Sequence, residues 1–416
     1  MSYCGLDFGT SNSTIGLGHG NGVRLAPLEG TETTLPTAIF FHFEGRAPDY
    51  GRKAIASYAD GLEGRLLRSL KSVLGTELIK EETQLRRRRV KFTEVIGLVV
   101  SHLKAQAEAA AGRPLEAVVH GRPVHFVDGD AAADRRAEAT LAEIAHASGF
   151  RHVSFQLEPI GAALHYEQNL EREVLALIAD IGGGTSDFSL VRLGPDRSRR
   201  AERADDVLAN HGVRVGGTDF DRLLSLEAIM PALGYGSPMA RTGLPAPVFL
   251  FHDLATWAKI NFLYRADILA AVRDLRAQAT EPHLFERLLR VLRERLGHAL
   301  AFAAEEAKIE LSHDPETRID MDLLEPALGV PVDRGILEYA IAEPTRQIAR
   351  AIDDCLAQAG VPAGRVERLF LTGGSTLVPT VRQAIEARVP GAEVVEGDRF
   401  GAIGLGLALE AKRRYA

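Results

Sequence analysis

The sequence predicts an α/β protein of two lobes, the second enlarged by helices. Three observations lead there. The chain has 416 residues, which is long for one core, because cores tend to split beyond about 250–300 residues. Strand-like and helix-like patterns alternate along its length. The strand-turn-strand opening "GLDFGTSNSTIGL" at Gly5 returns as "VLALIADIGGGTSDFSLVRL" at Val174, with Asp7 and Asp180 in matched positions.

Residues 3–17, 36–43 and 115–126 read as strands, the last broken by Gly121 and Pro123. Between Ala131 and Ser148 apolar residues recur at helical spacing and stop at Gly149. "HVSFQLEP" is the next strand, and Glu158-Pro159 opens a helix at a point where the missing proline N–H costs nothing. From about Leu223 to Ser312 the composition is strongly helical, with "ATWAKINFLYRADILAAVRDLRAQ" and "PHLFERLLRVLRERLGHALAFAAEEAKIELS" as long amphipathic patterns. A strand, "TRIDMDLL", a helix through about Ala359, the apolar strand "VERLFLTGG" and a helix from Pro379 follow. The closing segment "GDRFGAIGLGLALEAKRR" is a helix of small residues suited to close packing. The expected division is lobe I over 1–172 with an outer subdomain about 39–94, and lobe II over 173–394 with a helical outer subdomain about 213–334. Residues 395–416 return to lobe I.

Composition narrows the function classes. A content of 46% hydrophobic and 25% charged residues suits a soluble globular protein, and a net charge of −7 gives no reason to expect nucleic acid as a partner. Cys4 and Cys355 lie outside any C-x-x-C spacing, so neither a disulfide framework nor a thiolate metal site is expected, and a reducing cytoplasm fits. No basic segment followed by an apolar core opens the chain, and no apolar run reaches the roughly eighteen residues a membrane span needs, so no membrane partner is expected. The four arginines Arg86 to Arg89 read as a solvated basic patch in preference to a binding determinant.

The two turns carry the chemistry. Phosphate needs converging N–H donors, which glycine-rich turns supply because no Cβ blocks the approach. Gly182, Gly183 and Gly184 offer this with the hydroxyl of Thr185, and in the first turn Gly9 stands with Thr10, Ser11, Asn12 and Ser13. Asp7 and Asp180, at the strand ends, would repel phosphate unless a cation intervened, and Mg²⁺ resolves that conflict by holding waters between carboxylate and phosphate. The plain alternative is a pair of β-hairpins with Asp and Gly serving turn geometry. A third glycine-rich element after an apolar strand, "LFLTGGSTLVP", with Gly373, Gly374 and Ser375, weighs against coincidence.

With these segments together, the chain resembles the actin, hexokinase and heat-shock 70 superfamily, and within it the nucleotide-binding domain of the heat-shock 70 (DnaK-like) chaperones. "LDFGTSNST" and "ADIGGGTSDFSLV" resemble the two phosphate loops, "LEPIGAALHY" the first connecting helix, "VGGTDFDRLL" the start of the outer lobe, and "LFLTGGSTLVPTVRQAI" the adenosine segment. The resemblance implies an actin-like ATPase fold, each lobe built on a ribonuclease H-like mixed sheet flanked by helices, holding ATP or ADP with Mg²⁺. It implies that Asp7 and Asp180 hold Mg²⁺ through water, that Thr10, Ser11 and Gly182 to Thr185 bind phosphate, and that Lys71 reaches the γ-phosphate. Glu158 and Asp187 become cleft carboxylates, and Pro123 falls where the family couples nucleotide state to lobe movement. Gly216, Gly217, Glu305, Lys308, Ser312, Gly373, Gly374 and Ser375 match the remaining nucleotide contacts. Read without the resemblance, Lys71 is a surface lysine on a helix, Glu158 a charge favoured by a helix dipole, and Glu305 with Lys308 a solvent-facing ion pair.

The chain departs from the family pattern in three places. Ile309 and Leu377 stand where two arginines sandwich the adenine, so a cation–π contribution of about 0.5–2 kcal/mol per contact is missing. The region about 228–297 is longer than the family's outer lobe. After "LGLALEAKRRYA" no linker, β-sandwich or lid follows, which resembles the YegD-like branch. The expected function is a slow ATPase, chaperone-related, that switches lobe closure with nucleotide state and meets client or co-chaperone proteins. The alternatives are a small-molecule kinase of the same superfamily and a nucleotide-binding scaffold with little hydrolysis.

Overall fold

Two hairpins begin two sheets of the same design. In the first, β1 (Tyr3–Phe8) and β2 (Asn12–His19) run antiparallel and are extended by β3 (Gly22–Leu25), while β4 (Thr34–Pro36) also pairs with β2. On the other side of β1 lie β5 (Ala117–Arg122) and β6 (His152–Leu157), both parallel, giving the order β3-β2-β1-β5-β6. The second sheet repeats this with β7 (Val174–Ile181), β8 (Ser186–Leu193), β9 (Val207–Val213), β10 (Arg368–Thr372) and β11 (Glu393–Val395) in the order β9-β8-β7-β10-β11. Its first three strands are antiparallel and its last two parallel. Asp7 and Asp180 are each the penultimate residue of the central strand, paired in register with Thr14 and Asp187.

This computed structural model describes residues 1–416 apart from 21, 86, 87, 128, 129, 168, 169, 201, 258 and 396–400. Arg86 and Arg87 of the arginine run, Gln168 and Asn169 of the expected connecting helix, and the Gly397 to Phe400 stretch of the closing segment lie outside the described residues. Arg89 is exposed on the strand Arg88–Lys91.

Both central strands read as nearly continuous apolar runs because both faces are covered. On the first sheet, Leu6, Phe8 and Ile15 pack with Val95, Val99 and Leu103 of α1 (Phe92–Ala111), all fully buried, and with Leu141 of α2 (Ala131–Ala147). Each such side chain contributes about 1.5–3 kcal/mol. The Asp130 carboxylate starts α2 by accepting from the N–H groups of Ala132 and Ala133 at 3.0 and 2.9 Å, and α1 stops at Gly112 in the left-handed region, φ 66°. On the second sheet, Ile160 and Ala163 of α3 (Glu158–Glu167) pack with Ile178, Val191 and Phe370.

The closing segment forms α4 (Ala402–Tyr415), which lies against β1, β2 and α3. Its small residues permit unusual closeness: a Cβ added at Gly406 would fall 1.8 Å from the carbonyl oxygen of Gly161. That is why glycine stands where the helix meets α3.

The chain packs into two compact units. One contains 1–213, 351–374 and 385–416, and so holds both sheets; the other contains 214–350 and 375–384. Within the first unit α3 packs against strands of both sheets and against α4.

The second unit is mainly helical. Phe220, Phe251, Phe285 and Leu289 are buried at its core. The two long amphipathic patterns are interrupted: the first by a 3₁₀ turn at Ile260–Tyr264 and extended backbone at Arg265, the second between helices Pro282–Arg293 and Gly297–His313. Arg295 there sits in the left-handed region, φ 57°, and a Cβ on Gly297 would meet Ile260 at 2.6 Å. The strand expected over "TRIDMDLL" ends at Asp320 and pairs with Gly329–Asp333.

Candidate functional site

In the first unit the ends of β1 and β7, the start of β8, the 3₁₀ turn Leu70–Val73 and the start of α3 bring five charged residues into one electrostatic group: Asp7, Lys71, Glu158, Asp180 and Asp187. Lys71 is not a surface residue on an α-helix. It lies on the 3₁₀ turn Leu70–Val73, entered through Ser69 at φ 56°, and its side chain is 12% exposed. A left-handed serine is uncommon and costs conformational energy. The Lys71 ammonium donates to Glu158 Oε1 at 2.5 Å.

Four carboxylates share one ammonium, and the electrostatics follow. Burial, then the Glu158 charge, push the Asp7 carboxyl up to about 8, with Asp180 adding to the rise and Lys71 opposing it. Asp187 is pushed up to about 7 by burial and by Asp180, and Asp180 is raised by burial and Glu158. Burial by itself lowers the Lys71 pKa, but Glu158, Asp7 and Asp180 outweigh it and raise it. A site with this excess of negative charge favours a cation. Among the described residues no group of three or more His, Cys, Asp or Glu is arranged to hold a metal directly. Asp7 and Asp180 stand at the ends of the two central strands, with oxygen donors of the kind a hard cation prefers.

The glycine elements surround these carboxylates. Gly9 admits no side chain, since a Cβ there would lie 2.2 Å from the Asn12 carbonyl oxygen, and the Thr37 N–H donates to Ser11 O at 2.8 Å. Thr10, Ser11 and Asn12 are half-buried. In the second turn the Gly182 N–H donates to Thr185 O at 2.9 Å, closing the hairpin whose tip is Gly183 and Gly184, and the Thr185 hydroxyl favours the ionised form of Asp187. The third element comes against the second: Gly373 has φ 79°, and a Cβ there would lie 2.2 Å from Ile181 O and 3.1 Å from Asp180 Oδ1. Gly374 follows it at the start of the 3₁₀ turn Gly374–Leu377. A cavity of about 30 Å³ lined by Glu158, Asp180, Asp187, Thr372 and Pro123 has room for about one water.

The other expected contacts lie in the second unit. Gly216 precedes the helix Gly217–Leu224, and its N–H donates to the Asp219 carboxylate at 3.1 Å. On the helix Gly297–His313, Lys308 is buried with its ammonium 2.7 Å from Asp221, and the Ser312 hydroxyl donates to Lys308 O at 2.9 Å. Glu305, half-buried, is not the partner of Lys308, so the solvent-facing pair considered from the sequence does not form. Ser375 is buried, Leu377 half-buried and Ile309 52% exposed.

Three residues of the arrangement escaped the sequence reading. Thr372 pairs in register with Asp180 and its hydroxyl favours the carboxylate form; Asp221 holds Lys308. Both lay inside quoted motifs, beside the residues that drew notice. Arg122, next to Pro123, drew none. Its guanidinium donates to Pro123 O at 3.0 Å and Val124 O at 3.2 Å and pairs with Asp134 and Glu138, tying the Pro123 loop to α2.

A family model described as "Hsp70 protein" matches residues 3–230 and 292–412. The "Chaperone protein DnaK" of Mycoplasmoides gallisepticum (strain R(low / passage 15 / clone 2)) is 26% identical over 396 aligned residues, an alignment that covers 93% of this chain and 55% of that chaperone. The chain thus spans about half the length of the curated relative it matches. The mixed α/β architecture is that of the actin-like ATPase fold.

Proposed function

This chain belongs to the Hsp70 family, and from that premise we propose that it binds ATP with Mg²⁺ and hydrolyses it slowly. The observation that carries the reading is the convergence of Asp7, Asp180, Asp187 and Glu158 on the single ammonium of Lys71, at the turns of two sheets of the same design. When bound, Mg²⁺ neutralises phosphate charge. Asp7 and Asp180 would accept from its waters. The hydroxyls and N–H groups of Thr10, Ser11 and Gly182 to Thr185 would orient the phosphates, and Asp187 with Glu158 would position the attacking water. Lys71 would meet the charge that builds on the transferred group. Gly216, Gly217, Glu305, Lys308, Ser312, Gly373, Gly374 and Ser375 would receive the nucleoside.

Closing on the triphosphate and relaxing on the diphosphate would be the output, read by client or co-chaperone proteins in a reducing cytoplasm. Both cysteines are buried free thiols. No helix among the described residues is long and apolar enough to cross a membrane. Phosphate release by the purified protein, Asp180→Ala and Lys71→Ala tests the site: a rate in the wild type well above both variants is expected, and equal rates in all three reject it.

A further inference from the structure

The face of the second sheet that carries Asp187 continues into a polar pair to which the proposed ATPase cycle gives no part. Along β8, Asp187 and Ser189 stand two residues apart and so share one face. Opposite them on β9 are Gly212 and Asn210, and opposite Ser189 on β7 is the apolar Ile178. Ser189 and Ile178 are both buried. A hydroxyl in such surroundings costs free energy unless its hydrogen bonds are made.

Protein groups meet only half of that need. The Asn210 side-chain amide donates to Ser189 Oγ at 2.8 Å and to Phe188 O at 3.2 Å. The Phe188 carbonyl fixes which way the amide points, since only its nitrogen can donate. Ser189 Oγ is therefore an acceptor from Asn210, and its own proton remains to be donated. Among the described residues nothing accepts it. The cavity of about 30 Å³ lies beside this hydroxyl, lined also by Asn210, Asp187, Asp180 and Glu158. Gly212 keeps room for the carboxylate there, since a Cβ on it would lie 2.8 Å from Asp187 Oδ1.

We propose that Ser189, aligned by Asn210, is a positioning residue: it donates to one water in this cavity, and that water donates to Asp187 and fixes its carboxylate. The space suits one water, and Ser189 and Asp187 supply the two polar partners that a buried water needs. Residues two apart on a strand are separated by about 7 Å, a span that two hydrogen bonds of about 2.8 Å through one water can bridge. Such a bridge is nearly as favourable as a direct bond. Ser189 touches no phosphate in this arrangement. It acts on hydrolysis only through Asp187, and to that extent rests on the ATPase reading.

The test uses the full chain with Ser189→Ala, which removes the donor, and Asn210→Leu, which removes its alignment. A crystal structure of the nucleotide-free wild type should show an ordered water within hydrogen-bond reach of Ser189 Oγ and the Asp187 carboxylate, and the Ser189→Ala structure none bridging there. In steady-state phosphate release, kcat should fall at least about tenfold in both variants while KM for ATP stays as in the wild type, a split that general loosening of the fold would not give. A dry cavity in the wild type, a water that joins Ser189 to Asp180 or Glu158 and leaves out Asp187, or a Ser189→Ala kcat equal to that of an active wild type overturns the proposal. A wild type that releases no phosphate although its water joins Ser189 to Asp187 refutes the ATPase reading and upholds the water site.

Discussion

The Lys71 ammonium lies 2.5 Å from Glu158 Oε1, joining the 3₁₀ turn before α1 to the first residue of α3, 87 positions later. Removing one member of such a buried pair leaves the other uncompensated, at a cost of about 3–5 kcal/mol. Lys71→Met should therefore destabilise the fold in a urea titration, and Lys71→Met with Glu158→Leu should recover most of the loss. Phosphate release should not recover. A transition-state charge contact is worth roughly 100- to 1,000-fold in rate, so the double variant should stay as slow as Lys71→Met although it is the more stable protein.

The raised carboxyls predict a pH dependence. Asp7, at about 8, and Asp187, at about 7, hold protons more tightly in the folded chain than in the unfolded one. Their contribution to stability is largest below the ordinary carboxylate range, falls as pH rises, and levels off above about 8. Urea melts between pH 5 and 9 should show this decline, and Asp7→Asn should flatten it and be the more stable protein at pH 9 by at least about 1 kcal/mol. A divalent cation needs ionised carboxylates, so MgATP should release protons on binding at pH 7, readable by calorimetry in buffers of different ionisation enthalpy.

Close backbone contact at α4 makes a further prediction. With the Gly406 Cβ position 1.8 Å from Gly161 O, even alanine must move α4 away from α3. Gly406→Ala should cost about 1–3 kcal/mol, as overpacking does, in a denaturant titration. Gly97→Ala in α1, where the space is open, should be neutral or stabilising.

Much of this arrangement was legible in the chain because its signals are local. The repeated hairpin shows as a nearly continuous apolar run ending in Asp-x-Gly, and the close-packed helix shows as glycines at Gly404 and Gly406. Lys71 illustrates what is not local. Its turn has no strong helical or strand period, and its burial is decided by Glu158, which sequence alone places far away. The same holds for α3. Nothing in its own residues signals that it will pack on both sheets, because that is a property of its two faces meeting partners distant in the chain. The helical breaks at Arg265 and Arg295 were hidden for another reason: apolar spacing continues across them, and only backbone dihedrals reveal the interruption.

The adenine contacts give the last prediction. Ile309 is 52% exposed on the helix that carries Lys308 and Ser312, so replacing it removes no core packing. Its position follows Lys308, where the family resemblance implies an arginine stacked on the base. An arginine there would add a cation–π contact of about 0.5–2 kcal/mol, about 2- to 30-fold in affinity. Ile309→Arg should tighten ATP and ADP alike in a nucleotide titration, because the base is common to both, and should leave phosphate release under saturating ATP unchanged. If the substitution alters turnover at saturation while affinity stays constant, residue 309 does not face the base, and the placement of Glu305, Lys308 and Ser312 around the nucleoside falls with it.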